Sequence, residues 1–225
     1  MVEISHDLRC RLQQLEYPPN HQYDPQTLLP LGLLQNRLQW LRRVAPEMFC
    51  PPNDASFLDV GSNKGFMCLY LSQTYAKLTG IDHSAEHIAL SRDIRDAWGF
   101  QNVQFKTVDC TNLPKNFYEP ADVVYAGHLN HHLYGHALKA GLHPYAYIRA
   151  VACLALSTFV LDGPLDLDDP TSCDVAAQGN WPVNVRDSFS LEGHCRALEP
   201  EFDFVRAGPS GTGKRLIAVF KRRHA

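Results

Sequence analysis

The chain has 225 residues, 45% hydrophobic and 20% charged, which is enough apolar material for a continuous core and argues against disorder. Its formal net charge is −3, so no global basic field invites nucleic acid. The longest nearly uninterrupted apolar stretch, Ala150 to Leu161, is too short to cross a bilayer and carries Ser157 and Thr158.

At the N-terminus, Met1–Asp7 lacks the charged-then-apolar layout of a secretory signal. Seven scattered cysteines, odd in number and never spaced C-x-x-C, fit a reducing compartment better than a disulfide framework or a zinc cluster, and a cytoplasmic location is expected. Leu8, Leu12 and Leu15 recur at helical spacing before Pro18-Pro19 breaks the run. Leu34, Leu38 and Leu41 share one face of a second helix over Leu31–Val44. Pro46 and Pro51-Pro52 follow, which predicts a helical cap over residues 1–52 leaning on a main domain of residues 53–225.

From Ser56, strands and helices alternate. Strands are expected at Ser56–Val60, Lys77–Ile81, Val103–Val108, Ala121–Ala126 and Ser157–Leu161. Helices are expected at Phe66–Gln73, Ala85–Trp98 and Ala137–Ala155, the last interrupted by Pro144. Phe202–Arg206 and Arg215–Lys221 are joined by Gly208-Pro209-Ser210-Gly211-Thr212-Gly213 with no room for a helix. That reads as a hairpin with one antiparallel strand at the sheet's edge. The pattern predicts an α/β fold: a Rossmann-like, seven-stranded, mostly parallel sheet with an antiparallel last strand and helices on both faces.

The most specific feature is Phe57-Leu58-Asp59-Val60-Gly61-Ser62-Asn63-Lys64-Gly65, an apolar strand running into an acidic, glycine-punctuated turn. A second strand ends on an acid in Leu78-Thr79-Gly80-Ile81-Asp82. Open α/β folds bind their ligands at such strand ends. The turn departs from the dinucleotide fingerprint G-x-G-x-x-G, because an acid two residues before the first glycine would repel a pyrophosphate. It suits a ligand presenting an ammonium or hydroxyls. Gly61 lets the backbone approach that ligand closely, and Asn63 tolerates a left-handed conformation.

On these residues the chain resembles the class I S-adenosylmethionine-dependent methyltransferases, over roughly residues 56–165 and the terminal hairpin. The resemblance implies S-adenosylmethionine as cofactor, with Asp59, Gly61, Ser62, Asn63 and Gly65 around its methionine part. It implies Asp82 on the ribose hydroxyls and His83 beside the adenosine. Asp109, in Phe105-Lys106-Thr107-Val108-Asp109-Cys110, would accept from the adenine amino group, and the Cys110 NH would face the ring. The fourth strand leads into Gly127-His128, where the reactive sulfonium lies in that family.

Gly127–His136 concentrates four of the eleven histidines, and three readings compete. His131 or His132, with His132 preferred, would be a general base taking a proton from the acceptor. Alternatively, His128, His132 and His136 repeat every four residues and would share a helical face able to bind a divalent metal, although Gly135 argues against a helix reaching His136. Small-RNA 3′-end methyltransferases place a metal site in this region, but the acids of that site are absent here, and no metal is expected. The third reading is structural: ring packing, a backbone hydrogen bond, or lining of the cofactor pocket.

Gly208-Pro209-Ser210-Gly211-Thr212-Gly213-Lys214 looks like the phosphate loop G-x-x-x-x-G-K-[ST], but Arg215 replaces the hydroxyl residue that would hold Mg²⁺ and a strand follows instead of a helix. Residues 163–185 are acidic, proline-containing and long for a connection, and a lid is expected there. Asp162 ends the fifth strand at the same crevice, and Trp181, Tyr134, Tyr17 and Tyr23 are candidates to stack on a planar acceptor. Cap and lid together point to a small-molecule acceptor, such as a specialised metabolite, methylated on oxygen or nitrogen, with no nucleic-acid or membrane partner. An RNA-modifying methyltransferase and a degenerate cofactor-binding protein are the alternatives.

Overall fold

The computed structural model describes residues 2–14, 23–112, 119–127, 129–165, 190–211 and 215–223. The chain begins with α1 (His6–Gln14), a two-residue ladder of β1 (Tyr23–Asp24) and β2 (Leu29–Pro30), and α2 (Gly32–Val44). Leu34, Leu38 and Leu41 of α2 are buried, as their spacing requires, and Arg37 is buried on the same face. Then come β3 (Ser56–Val60), α3 (Phe66–Tyr70), β4 (Lys77–Asp82), α4 (Ala85–Trp98), β5 (Val103–Thr107) and β6 (Ala121–Gly127). After them follow α5 (Asn130–Lys139), α6 (Ala146–Ala152), β7 (Ala155–Leu165), α7 (Leu191–Leu198), β8 (Phe202–Pro209) and β9 (Arg215–Arg222).

Seven strands form one sheet in the order β5-β4-β3-β6-β7-β9-β8. The five strands from β5 to β7 pair in parallel, and β9 is antiparallel to both β7 and β8. The antiparallel strand therefore lies one place in from the edge, where the sequence pattern had put it at the edge itself. The reason is apolar content. Ile217, Ala218, Val219 and Phe220 of β9 are fully buried, whereas β8 leaves Phe204 and Val205 exposed and takes the outer position.

The two faces of the sheet carry separate cores. On one face, Tyr125, Val160, Ile217 and Val219 meet the leucines of α2, while Phe57 and Leu78 meet α3 and α4. On the other, Val124, Phe159, Leu161 and Phe220 meet α5, α6 and α7. The β8–β9 hairpin also grips α2. Arg206 Nε donates to the Val44 carbonyl at 2.5 Å and its guanidinium pairs with Glu47.

Helix α5 starts earlier than the sequence pattern placed it and runs through Gly135 to Lys139. A mid-helix glycine costs about 1 kcal/mol, which the burial of Leu133, Tyr134 and Ala137 outweighs. Pro144 falls in the turn between α5 and α6. Among the described residues no helix is long and apolar enough to cross a membrane.

Candidate functional site

The tips of β3 and β6 open onto a cleft with about 40 Å³ of free space, lined by Asp59, Gly61, Ser62, Asn63, Tyr125 and Gly127 and covered by Leu34 and Arg37 of α2. Its floor is the turn after β3. Gly61 N and Ser62 N both donate to the Ile81 carbonyl, at 2.8 and 2.9 Å. Gly61, Asn63 and Gly65 all have positive φ, so the turn needs residues that accept the left-handed region. The Asp82 carboxylate pins this turn to β4, accepting from Asn63 N and from Ser84 N, each at 2.9 Å.

Ser62 Oγ and Asn63 Oδ1 are buried without a hydrogen-bond partner. An unpaired buried polar atom costs about 1–3 kcal/mol, so this wall of the cleft is built for a polar ligand. Asp59 is 3% exposed, and burial pushes its carboxyl up to about 7, against the pull of Arg37 and with the push of Asp82. Two hydrogen-bonding orphans and a buried acid fit the amino-acid end of S-adenosylmethionine. A Cβ at Gly61 would come within 2.5 Å of the Leu129 side chain, so Leu129 occupies the space that glycine leaves open.

Arg37 was not singled out by the sequence reading. Its Nε donates to Asp162 Oδ2 at 2.5 Å and its Nη2 donates to the Tyr125 hydroxyl. Asp162 is fully buried, and the guanidinium lies over Gly127, where a Cβ would collide with it. Burial opposes the charge on Arg37, but the Asp162 carboxylate outweighs that, and the guanidinium stays protonated. The sequence did hold a signal: Arg37 interrupts the apolar face Leu34–Leu38–Leu41, and a cation on a buried face requires a buried partner.

The other expected residues are distributed around the crevice. His83 is exposed, with Nδ1 3.3 Å from Asp82 Oδ1. Asp109 is exposed at the rim and accepts from both the NH and the hydroxyl of Thr111, which holds its carboxyl below the usual range. Cys110 is buried, and burial pushes its thiol up to about 12. His132 stands near the start of α5, four residues from His136. Partial burial, then the nearby His136, His83 and Arg215, lower its pKa, so the imidazole is neutral at pH 7 and able to accept a proton.

Two expected stacking residues are not brought to the cleft. Tyr134 is fully buried between α5 and α7, where its hydroxyl meets His194. Tyr23 is 3% exposed, packs on Phe66 and donates to the Lys64 carbonyl at 2.7 Å, bracing the turn from behind. In each case a large ring was worth more in a core than at a surface. Tyr17, Trp181, His128, the His131 side chain and the expected lid beyond residue 165 lie outside the described residues. Among the described residues, no three His, Cys, Asp or Glu side chains converge as a metal site.

A family profile described as "Methyltransferase domain" matches residues 52–140. No curated protein matches the sequence. In three dimensions the chain is similar to magnesium protoporphyrin IX methyltransferase from Synechocystis PCC 6803 with bound SAH. The TM-score is 0.63 at 17% identity, covering 97% of this chain and 95% of that one. It is also similar to the N-methyltransferase NodS from Bradyrhizobium japonicum WM9, with a TM-score of 0.58 at 15% identity, covering 85% and 97%. Identities this low speak for the fold: the chain shares the architecture of methyltransferases of known structure, and the family profile places a methyltransferase domain over residues 52–140.

Proposed function

We propose that the chain transfers a methyl group to an oxygen, or alternatively a nitrogen, of a small-molecule acceptor. The observation that carries this reading is the roof of the cleft. Leu34 and Arg37 of helix α2 roof the cleft at the strand tips, a cover that suits a small acceptor better than a polymer. The neighbour named for a magnesium protoporphyrin IX acceptor shares the fold over nearly its whole length, which supports a small acceptor.

The bound cofactor supplies a methyl group activated by a sulfonium. In this reading Asp59, Gly61, Ser62, Asn63 and Gly65 hold its amino-acid end, Asp82 and His83 its ribose, and Asp109 and Cys110 the adenine edge. His132 takes the acceptor's proton as the nucleophile attacks, which its neutral imidazole permits. Asp162, locked by Arg37 and Tyr125, fixes the acceptor side of the cleft. In-line methyl transfer depends above all on positioning, and this buried lock supplies it.

Calorimetry with S-adenosylhomocysteine, together with mass spectrometry of a native metabolite extract incubated with S-adenosylmethionine, tests the reading. Binding and a new methylated small molecule are expected. Transfer to RNA alone, or binding without any methylated product, would replace it.

A further inference from the structure

A second guanidinium, which the lock does not use, stands past Asp162 at the end of the β7–β9 ladder. Arg215 begins β9, and the register pairs Asp162 with Ile217 and Leu165 with Arg215. Arg215 therefore sits just past Asp162, at the last pair of the β7–β9 ladder. Ile217 and Val219 point into the core beneath α2 with Tyr125 and Val160. Strand alternation puts Arg215 on that same face. The same hairpin packs on α2 through Gly211, whose α-carbon lies against Trp40.

Arg215 is half-buried, and among the described residues its side chain has neither an ion pair nor a hydrogen bond. Burial weakens its charge first; Asp162 then attracts it and Arg37 repels it. Asp162 is thus the one carboxylate that both guanidiniums feel, and Arg37 already holds its Oδ2 at 2.5 Å. Across the mouth, His132 feels both Arg215 and Asp82. A half-buried guanidinium whose nearest carboxylate is already held by Arg37 keeps its own donors for a ligand.

We propose that Arg215 receives an anionic group of the acceptor, a carboxylate or a phosphate, so that the substrate class is an anionic small molecule. This rests on the methyltransferase reading above. A guanidinium presents two parallel N–H donors matched to either oxyanion, and partial burial strengthens such a contact. The anionic group serves as a handle: held at Arg215, it leaves the rest of the acceptor to extend toward Gly127 and His132.

Benzoate, inorganic phosphate and the neutral isostere benzamide, titrated by calorimetry into wild type and R215Q with and without S-adenosylhomocysteine, test the proposal. Saturable binding of benzoate or phosphate to wild type is expected, weakened roughly tenfold or more in R215Q, with no binding of benzamide. Benzoate and phosphate separate the two sources of the anion. R215K keeps the charge but loses the paired donors, and a severalfold weakening is expected even should R215Q not fold. Equal binding in R215Q, or no anion binding by wild type, overturns the proposal. Loss of the anion site on adding S-adenosylhomocysteine would assign Arg215 to the cofactor's own carboxylate and overturn it too. Failure of S-adenosylhomocysteine to bind would sink only the methyltransferase reading, because the cofactor-free titration reports on Arg215 independently.

Discussion

The Tyr134 hydroxyl donates to Nε2 of His194 at 2.5 Å, while Nδ1–H of the same ring donates to the Ser190 carbonyl at 2.7 Å. One nitrogen gives and the other receives, so the imidazole is neutral and its tautomer is fixed. The pair joins α5, which carries His132, to α7, which follows the expected lid.

Burial holds His194 down at about 4, against an ordinary value of 6.5. As pH falls from 6.5 toward 4, the unfolded chain takes up a proton that the fold refuses. The stability this site contributes is complete above pH 6.5 and lost across that window, by about 3 kcal/mol in full. Urea denaturation of His194→Phe should lack this acid-side loss. Tyr134→Phe, which leaves Nε2 unpaired, should cost about 1–3 kcal/mol at pH 7.5.

Asp59 pulls the other way. Its carboxyl is raised from 3.8 to about 7, so the folded chain keeps a proton that the unfolded chain releases between those values. That contribution is complete below pH 3.8 and lost as pH rises through 7. In wild type the two slopes offset each other between pH 4 and 6.5. Asp59→Asn is expected to make stability rise with pH across that range, and a slope unchanged from wild type would refute the assignment.

Arg37→Met should destabilise by about 3–5 kcal/mol, since it leaves Asp162 charged and fully buried without its cation. Adding Asp162→Asn should restore much of that loss. Denaturation midpoints that fall further in the double variant would show that the pair is not the source of the effect.

Gly65 and Gly99 share the left-handed backbone, at φ +74° and +71°, but not their surroundings. A Cβ at Gly65 would lie 2.6 Å from Phe105 Cζ, whereas at Gly99 nothing stands within 4 Å. Gly99→Ala should therefore cost about 1 kcal/mol of backbone strain, and Gly65→Ala a further 1–3 kcal/mol of overpacking. Similar losses for both would mean that Phe105 yields freely.

His132→Ala is expected to lower kcat by about a hundredfold with little change in acceptor KM or in affinity for S-adenosylhomocysteine. Parallel losses in kcat and cofactor affinity would make His132 a packing or cofactor residue.

The strand tips were legible because each is a local event: an apolar run, an acid, a turn glycine. Helix α4 matched its expected bounds because Ser84 caps one end, accepting from His87 N at 3.2 Å, and Gly99 closes the other. What depended on distant partners was not legible. Arg37 finds Asp162 at a sequence separation of 125, and no local pattern names that partner. Tyr134 carries a polar hydroxyl that fits a pocket wall as well as a core, and only the remote His194 decides between them. The inward place of β9 follows from comparing its burial with that of β8, a property of the whole sheet.

The grip of the β8–β9 hairpin on α2 sets the order of events on the ribosome. Arg206 reaches the Val44 carbonyl across 162 positions. At ordinary elongation speeds the nascent helix must wait roughly ten to thirty seconds for the strands that shelter its leucine stripe. Until then that stripe is exposed and chaperone-accessible, although every residue that lines the cleft, from Leu34 to Gly127, has already been made.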